Sequence, residues 1–254
     1  MVASRQIDGA TVTFRHEAGP GPTLVCIHGS ADNHHVYDGL LDSLPGHDRY
    51  AINMPGRAGT DGSPLRSVAE MESFLARFVE AEVAGEYVVV GHSLGGAVAI
   101  EHALRAPPRL DSLVLLATGA RLRVHPMILQ LFEQAAATGQ KNAPMPPGLY
   151  EHGTDPALIE KASRDRELTP IETGGADWRA ADAFDRMSEI GTIQVPALIV
   201  VGTRDALTPV KYAEFMANGI ADHELHVIEG AGHMFVMERP AEVAGWIEEW
   251  LRNS

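Results

Sequence analysis

Short apolar segments rich in β-branched residues recur along the chain, and helical patterns separate most of them. The apolar segments are TVTF (11–14), TLVCI (23–27), YAIN (50–53), YVVVG (87–91), LVLLA (113–117), ALIVV (197–201) and LHVIE (225–229). After the first two, they alternate with amphipathic stretches such as SVAEMESFLARFVEAEVAG and PAEVAGWIEEWLRNS. Continuous apolar strands that alternate with helices are typical of a parallel sheet covered on both faces. The pattern therefore predicts an α/β fold with a mostly parallel sheet.

The alternation is interrupted once, between Thr118 and Ile190. This segment holds three helix-like stretches, HPMILQLFEQAAA, PALIEKASRDREL and GADWRAADAFDRMSEI, together with the Pro-rich stretch KNAPMPPG. We expect residues 119–190 to form a helical cap on a core made of residues 1–118 and 191–254. Such a cap would cover the carboxyl ends of the strands, where open α/β sheets bind their ligands.

The chain is acidic, with 34 Asp and Glu against 20 Lys and Arg and a formal net charge of −14. Because this charge repels phosphate backbones and anionic lipid, we expect neither nucleic acid nor a membrane as a partner. The opening MVASRQIDGATVTF lacks the apolar core of a signal peptide, so we expect a cytoplasmic protein. We expect it to be a monomer or a homodimer. Cys26 is the only cysteine, which excludes an internal disulfide.

The clearest chemical signal is Gly91-His92-Ser93-Leu94-Gly95, which joins an apolar strand to an amphipathic helix. A serine on such a tight turn needs small residues two positions away on each side, and glycine meets that need. The constellation resembles the nucleophile elbow of the α/β-hydrolase superfamily, and the resemblance covers nearly the whole chain. It implies an eight-stranded, mostly parallel sheet flanked by helices, with a cap inserted after the sixth strand.

A serine hydroxyl is a weak nucleophile unless a base removes its proton, so a histidine oriented by a carboxylate should accompany Ser93. The superfamily order is serine, acid, histidine. Asp205 follows the strand in ALIVVGTRDALTP, and His233 follows the next strand in LHVIEGAGHMF. Both positions lie at carboxyl ends of strands, where the loop of Ser93 also emerges, so we expect these three residues to form a catalytic triad.

The oxyanion of an acyl-transfer intermediate needs two preorganised hydrogen-bond donors. The backbone N–H of Leu94, at the start of a helix, is the first candidate. His28-Gly29-Ser30 resembles the superfamily's oxyanion turn, which implies that the backbone N–H of Ser30 is the second donor and that His28 braces the loop. Tyr37 stands where related sequences often carry an aromatic residue.

Three histidines and two aspartates fall within CIHGSADNHHVYDG (26–39), a density that suggests a metal site. Adjacent His34 and His35 diverge by about 100° on a helix, and the H-E-x-x-H spacing is missing. We therefore expect no metal and no cofactor, and we expect Asp32 and Asn33 to form with these histidines a polar rim of the pocket.

The stretch YAINMPGRAGTDG resembles a superfamily loop that usually reads Asp-x-Pro-Gly-x-Gly-x-Ser, but it has Asn53 in place of the aspartate. The residues at 59–62, Gly-Thr-Asp-Gly, stand where the Gly-x-Ser would lie. Because this loop supports the site without performing the chemistry, the departure bears on how the loop packs more than on activity.

A serine nucleophile with an oxyanion hole suits acyl transfer, so we expect an enzyme that cleaves a carboxylic ester or lactone of a small to medium, largely apolar substrate. Alternatives within the enzyme class are C–C bond hydrolases and cofactor-free perhydrolases or haloperoxidases. A different class is a small-molecule receptor with little turnover. Arg121 and Arg123 suit either an acidic substrate or a solvated surface.

We expect the substrate pocket to be lined by cap residues, by residues beside the triad and by histidines of the neighbouring loops. These residues are His28, His34, His92, Met127, Leu131, Phe132, Met145, Met234 and Phe235. Mixed methionine and aromatic surface accommodates an apolar acyl group without imposing one shape. Ile128, Leu149 and Tyr150 belong to the same cap surface, and packing of the cap on the sheet explains each of these cap residues equally well.

Overall fold

A computed structural model describes residues 2–140, 146 and 148–253. The strands are β1 Val2–Ile7, β2 Ala10–Glu17, β3 Gly21–Ile27, β4 His47–Ile52, β5 Tyr87–His92, β6 Leu110–Leu116, β7 Ala197–Gly202 and β8 His223–Ile228. The helices are α1 Asp38–Asp42, α2 Val68–Glu82, α3 Leu94–Leu104, α4 Pro126–Ala137, α5 Pro156–Arg166, α6 Ile171–Ala183, α7 Val210–Gly219, α8 Phe235–Glu238 and α9 Pro240–Asn253. Short 3-10 turns span His34–Tyr37 and Ile190–Thr192.

The strands form one sheet in the order β1-β2-β4-β3-β5-β6-β7-β8. The strands from β4 to β8 in this order are parallel, whereas β2 pairs antiparallel with both β1 and β4. The predicted eight-stranded, mostly parallel sheet is thereby confirmed. Because β3, β5, β7 and β8 run in one direction, the loops that follow them emerge at the same edge.

The first strand is the one that the hydrophobic pattern did not predict. Five of the six residues in β1 are exposed or half-buried, so the strand lacks an apolar run. It is held instead by antiparallel pairing with β2. The two strands are joined at Asp8 and Gly9, whose positive φ angles of 51° and 81° suit a tight hairpin turn.

The sheet separates two hydrophobic clusters. Successive residues of a strand point to opposite faces, so each central strand contributes to both clusters. Val89 of β5 belongs to the cluster beneath α2, α3 and α7, whereas its neighbours Val88 and Val90 belong to the cluster beneath α1, α8 and α9. The apolar strand YVVVG is therefore buried on both faces, as its composition predicts. This burial fixes the position of the turn that follows it.

Among the described residues, the helices α4, α5 and α6 lie between β6 and β7, the part of the chain where the sequence predicts a helical insertion. The third begins at Ile171 and ends at Ala183, earlier than the predicted stretch 175–190. Beyond its end the backbone is extended at Phe184, and Asp185 pairs with Arg121 in an isolated bridge. A third hydrophobic cluster joins α4 and α6 to Ala31 of the core. In the described part of the chain, every helix is too short or too polar to span a bilayer.

Candidate active site

Ser93 occupies the tight turn between β5 and α3. Its backbone has φ 54° and ψ −118°, a region that residues with side chains rarely adopt. Hydrogen bonds on both sides hold this conformation, since the Ser93 N–H donates to the carbonyl of Leu116 at 2.9 Å and the Thr118 hydroxyl donates to the carbonyl of Ser93 at 2.7 Å. The turn therefore presents the serine side chain at the edge of the sheet where the parallel strands end.

The glycines beside Ser93 allow a packing that no side chain would permit. A Cβ atom on Gly91 would lie 2.4 Å from the carbonyl oxygen of Gly95, and one on Gly95 would lie 1.9 Å from the carbonyl oxygen of Ile27. Helix α3 therefore packs directly against the end of β3. The small residues that the motif places around the serine are required by this contact.

His233 and Asp205 form a buried hydrogen-bonded pair. Nδ1 of His233 lies 2.8 Å from Oδ2 of Asp205. The other carboxylate oxygen accepts the backbone N–H groups of Leu207 at 2.9 Å and Thr208 at 2.8 Å, and the Thr208 hydroxyl donates to Oδ2 at 2.7 Å. Burial alone raises the pKa of Asp205, but the charge of His233 and these hydrogen bonds outweigh burial and hold it below its ordinary value.

The loop after β3 packs against the nucleophile. A Cβ atom on Gly29 would lie 3.1 Å from Cβ of Ser93, so the Gly29–Ser30 peptide is adjacent to the serine. His28 braces this loop, because it receives the Met54 N–H at Nε2 over 3.3 Å and contacts the Gly29 carbonyl through Nδ1 at 2.9 Å. Burial holds the pKa of His28 well below its ordinary value, so the ring is neutral.

A family model described as the alpha/beta hydrolase family matches residues 24–246. The chain belongs to the alpha/beta hydrolase family. A pimeloyl-[acyl-carrier protein] methyl ester esterase of Nitrosomonas europaea is 29% identical, over 88% of this chain and 93% of the relative. The monoacylglycerol lipase ABHD6 of Mus musculus is 25% identical, over 95% of this chain and 79% of the relative. The solved structure of a thermophilic esterase superposes on this chain with a TM-score of 0.82 at 32% identity. The superposition covers 100% of this chain and 98% of the esterase chain.

In this alpha/beta hydrolase, Ser93 lies between two small cavities, and Ser30 and Trp178 line both of them. The first, which we call the His233 compartment, has a volume of about 10 Å³. Its other lining residues include Asp32, His92, Leu149, Arg166, His233 and Met234. The second, which we call the Leu122 compartment, has a volume of about 20 Å³. Its other buried or half-buried lining residues are Leu122, Val124, Ile128, Ala181, Leu207 and Thr208, and exposed Arg123 lies at its rim.

Two larger grooves lie away from Ser93. One of about 310 Å³ is lined by residues that include Arg121, Lys211 and Tyr212. The other, of about 730 Å³, includes Phe132 and Arg179. Among the described residues, no member of the predicted triad lines either groove, whereas Ser93 lines both small compartments and His233 lines one of them.

His92 supports the backbone of the neighbouring histidine. Its Nε2 lies 3.0 Å from the carbonyl oxygen of His233 and donates its proton there. Burial and the positive charge that His233 can carry lower the pKa of His92 to about 3, so this ring stays neutral. His92 also lines the His233 compartment, in agreement with its predicted place beside the pocket.

Several predicted pocket residues of the alpha/beta hydrolase lie elsewhere. Met127 is 63% exposed, and the periodicity of α4 instead turns its neighbour Ile128 inward. Leu131 is half-buried and Phe132 packs against Trp178, while Phe235 lies in the core beneath α8. These four residues line neither compartment, whereas Met234 lines the His233 compartment. Met145 lies outside the described residues.

The expected polar rim is wrong in its placement, because Asp32, Asn33 and His34 are buried. The backbone N–H of His34 donates to Oδ1 of Asn53 at 2.9 Å, and Nδ2 of Asn53 donates to the Thr13 hydroxyl at 2.8 Å. The Asn53 side chain therefore links the His34 backbone to Thr13 of β2, in the position where the superfamily loop usually carries aspartate. Of these residues, Asp32 reaches the compartments beside Ser93.

His35, Asp38 and Asp165 bring potential metal-ligand atoms within 4.8 Å of one another. The ammonium of Lys161 lies 3.1 Å from Asp38 and 2.7 Å from Asp165, so this cluster already contains the cation that its carboxylates need. Oδ2 of Asp38 also accepts a hydrogen bond from Nδ1 of His35, at 2.9 Å. The cluster links α5 to the start of α1.

Four residues at or beside the site had no sequence signal: Arg57, Arg166, Asp177 and Trp178. Arg57 lies in the loop after β4, and the other three lie on α5 and α6, more than a hundred positions along the chain. Each is an ordinary charged or aromatic residue within its own segment. The folded position of the inserted helices brings Arg166 and Trp178 to the compartments beside Ser93 and Asp177 to Arg57 and Ala31.

Proposed function

We propose that this protein cleaves a carboxylic ester or lactone through an acyl-serine intermediate on Ser93. Its class, a hydrolase acting on ester bonds, is supported by esterase and lipase relatives that cover most of the chain. The observation that carries the mechanism is the Asp205–His233 hydrogen bond of 2.8 Å beside a cavity that His233 shares with a serine in strained geometry.

In the first half of the reaction, Oγ of Ser93 attacks the carbonyl carbon while its proton passes to Nε2 of His233. The backbone N–H groups of Leu94 and Ser30 stabilise the oxyanion that forms, and the N-terminus of α3 adds a favourable dipole. The bond from carbon to the alcohol oxygen then breaks, and His233 returns its proton to that oxygen. The products of this half are the free alcohol and the acyl-serine.

In the second half, a water molecule attacks the acyl carbon and gives a proton to His233. The bond from carbon to Oγ of Ser93 breaks, and the proton returns to Oγ, which releases the carboxylic acid. Asp205 stays ionised throughout and fixes the imidazole with Nδ1 protonated. Thr208 and the backbone of residues 207–208 hold the carboxylate in that orientation.

We further propose that residues 119–190 act as a cap on a core formed by 1–118 and 191–254. Ile128 of α4, Arg166 of α5 and Trp178 of α6 all line the compartments beside Ser93. Volumes of about 10 and 20 Å³ are close to the room that a single water needs. An ester therefore enters only when these helices or their side chains move away from Ser93.

Hydrolysis of p-nitrophenyl butyrate by the wild type and by Ser93→Ala tests the proposal. We expect the variant to lose at least about a thousandfold in kcat/KM, because the nucleophile is removed. Ser188→Ala is the matched control, since Ser188 is exposed and its hydroxyl contacts Glu189. A fluorophosphonate should label the wild type and Ser188→Ala stoichiometrically, with the adduct on Ser93. Equal rates for the wild type and Ser93→Ala would refute the acyl-serine mechanism.

A further inference from the structure

The two compartments beside Ser93 differ in chemistry. The Leu122 compartment is formed mainly by the aliphatic side chains of Leu122, Val124, Ile128, Ala181 and Leu207. The His233 compartment contains an ion pair, in which Nε of Arg166 lies 3.5 Å from Oδ1 of Asp32. A substrate that spans both compartments must therefore have one apolar part and one polar part.

The position of His233 decides which part of an ester lies on which side. Under the mechanism proposed above, His233 must hand its proton to the oxygen of the leaving alcohol, so the alcohol lies beside His233. His233 lines the compartment that holds Asp32 and Arg166, whereas the described lining of the Leu122 compartment does not include it. The acyl chain consequently faces aliphatic residues, and the alcohol faces the ion pair.

The ion pair offers both kinds of hydrogen-bonding partner in one buried place. The side chains of Arg166 and Asp32 are only 11% and 10% exposed, so both are largely removed from water. Arg166 provides N–H donors and Asp32 provides acceptor oxygens. Burial raises the pKa of Asp32, and the guanidinium of Arg166 opposes that rise. A buried charged pair of this kind gains from any further hydrogen-bonding group that reaches it.

Two hydrogen-bond donors without partners lie at the boundary between the two compartments. Within the described residues, the indole N–H of Trp178 and the hydroxyl of Ser30 have no hydrogen-bond partner, although these residues are only 6% and 5% exposed. Both line the His233 compartment as well as the Leu122 compartment. Buried donors without partners are rare and destabilising in folded proteins. Their position beside Ser93 points to a ligand oxygen as the missing acceptor.

We infer that the substrate is a monoester of a polyhydroxy alcohol, with a small apolar acyl group in the Leu122 compartment and a free hydroxyl between Asp32 and Arg166. A hydroxyl donates one hydrogen bond and accepts others, so it satisfies both members of the pair. An alkyl group satisfies neither member. A carboxylate is repelled by Asp32, and an ammonium is repelled by Arg166.

A matched pair of esters tests this inference, namely 2-hydroxyethyl butyrate and propyl butyrate. They share the acyl group and have the same number of heavy atoms, but only the first carries a hydroxyl on the alcohol. With each rate divided by that of hydroxide-catalysed hydrolysis, we expect the wild type to favour the hydroxyethyl ester in kcat/KM by about tenfold or more. Asp32→Asn and Arg166→Gln should each lower this ratio severalfold, because a neutral amide replaces a charged group whose hydrogen bonds are stronger.

Two controls separate recognition from general damage. Arg164→Gln lies on the same helix, with a side chain 64% exposed that pairs with Glu160, and it should keep the wild-type ratio. Ethyl 4-hydroxybutyrate against ethyl pentanoate places the hydroxyl on the acyl side instead. We expect no preference for the hydroxyl in this second pair. A preference for the hydroxyl in this acyl-side pair, without one in the butyrate pair, would overturn the assigned orientation.

The outcomes distinguish this inference from the mechanism on which it rests. If the wild type cleaves both butyrates equally and Ser93→Ala cleaves neither, the acyl-serine mechanism stands and the hydroxyl site is wrong. If Ser93→Ala cleaves both as fast as the wild type, the mechanism itself is wrong. A tenfold preference that survives in Asp32→Asn and in Arg166→Gln would also overturn the inference, because it would place the recognition elsewhere.

Discussion

Arg57 and Asp177 form a bidentate ion pair that ties an inserted helix to the loop beside the nucleophile. The two contacts are 2.6 and 2.8 Å long, and each side chain is 1% exposed. The same carboxylate accepts the backbone N–H of Ala31 at 2.9 Å, and Arg57 donates to the carbonyl of Asp32 at 3.1 Å. Asp177 of α6 and its partner Arg57 thus fix the Ser30–Ala31 and Asp32–Asn33 peptides, next to the backbone N–H of Ser30 that we propose as an oxyanion donor.

We predict that Asp177→Ala impairs both stability and catalysis. Removal of one partner leaves the Arg57 cation buried without its counter-charge, which should lower the free energy of unfolding by about 3–5 kcal/mol. The Ala31 N–H also loses its acceptor, so the Ser30 peptide loosens and kcat should fall by roughly tenfold or more. Urea denaturation and p-nitrophenyl butyrate hydrolysis, the latter measured where the variant is still folded, check the two effects.

The double variant Arg57→Met/Asp177→Leu is the control. Replacement of both charges by apolar side chains should restore much of the lost stability, but kcat should stay low because Ala31 still has no acceptor. A double variant with the wild-type kcat would show that the pair holds α6 in place without positioning the oxyanion loop.

We predict opposite effects for two glycine-to-alanine changes. In Gly95→Ala the new Cβ would lie 1.9 Å from the carbonyl oxygen of Ile27, so α3 must move away from β3 and carry Ser93 with it. Stability should fall by about 3 kcal/mol or more, with loss of esterase activity. Gly245 lies in α9 with no atom within 4 Å of a new Cβ, so Gly245→Ala should add about 0.5–1 kcal/mol. Thermal unfolding of both variants, with the activity of each, checks this contrast, and an active, stable Gly95→Ala would contradict it.

The sequence indicated the sheet and the three inserted helices because their signals are local. The apolar run of β5 and the Gly-x-Ser-x-Gly turn are contiguous, and the parallel order of β5, β7 and β8 brings the loops of Ser93, Asp205 and His233 to one edge. Strand β1 has no such signal, since it is an exposed edge strand that depends on pairing with β2.

The residues around the nucleophile were less predictable because their roles depend on contacts distant in the chain. Arg57 and Asp177 are separated by 120 positions, and nothing in either segment marks a partner. His34 belongs to a polar stretch that is typical of a surface loop. The structure instead buries it, and its backbone N–H donates to Asn53. On α4 the inward-facing residue is Ile128, and the exposed one is Met127, because the register of a helix on its support is set by packing.

We predict that kcat/KM for an ester falls as the pH is lowered, because the base that accepts the serine proton must be unprotonated. The pKa of Asp205 is held below its ordinary value, and that of His92 is about 3, so neither group changes its charge between pH 5 and 8. The stabilisation from Asp205 is fully present above the ordinary aspartate range and is lost only as the pH falls through its lowered value. A decline in rate over this range therefore comes from neither Asp205 nor His92. The proposed base, His233, cannot accept the serine proton once it is protonated.

A pH–rate profile between pH 5 and 8, with circular dichroism at each pH, measures this dependence. Intact secondary structure with a falling rate is the expected result. A rate that stays constant over this range in the folded protein would contradict the prediction.

We predict that Ile128→Ala shifts the acyl preference toward longer chains. Ile128 is buried and lines the Leu122 compartment, so its truncation lengthens the space that we assign to the acyl group. The kcat/KM for p-nitrophenyl hexanoate relative to the butyrate should rise by roughly tenfold, since one or two methylenes in a fitted pocket are worth about 1–3 kcal/mol. The variant should also lose about 2–5 kcal/mol of stability.

Met127→Ala is the matched control, because Met127 adjoins Ile128 on α4 and is 63% exposed. The same chain-length profile in Ile128→Ala and the wild type would place the acyl group outside the Leu122 compartment, whereas a shift in Ile128→Ala alone would support the assigned orientation of the ester.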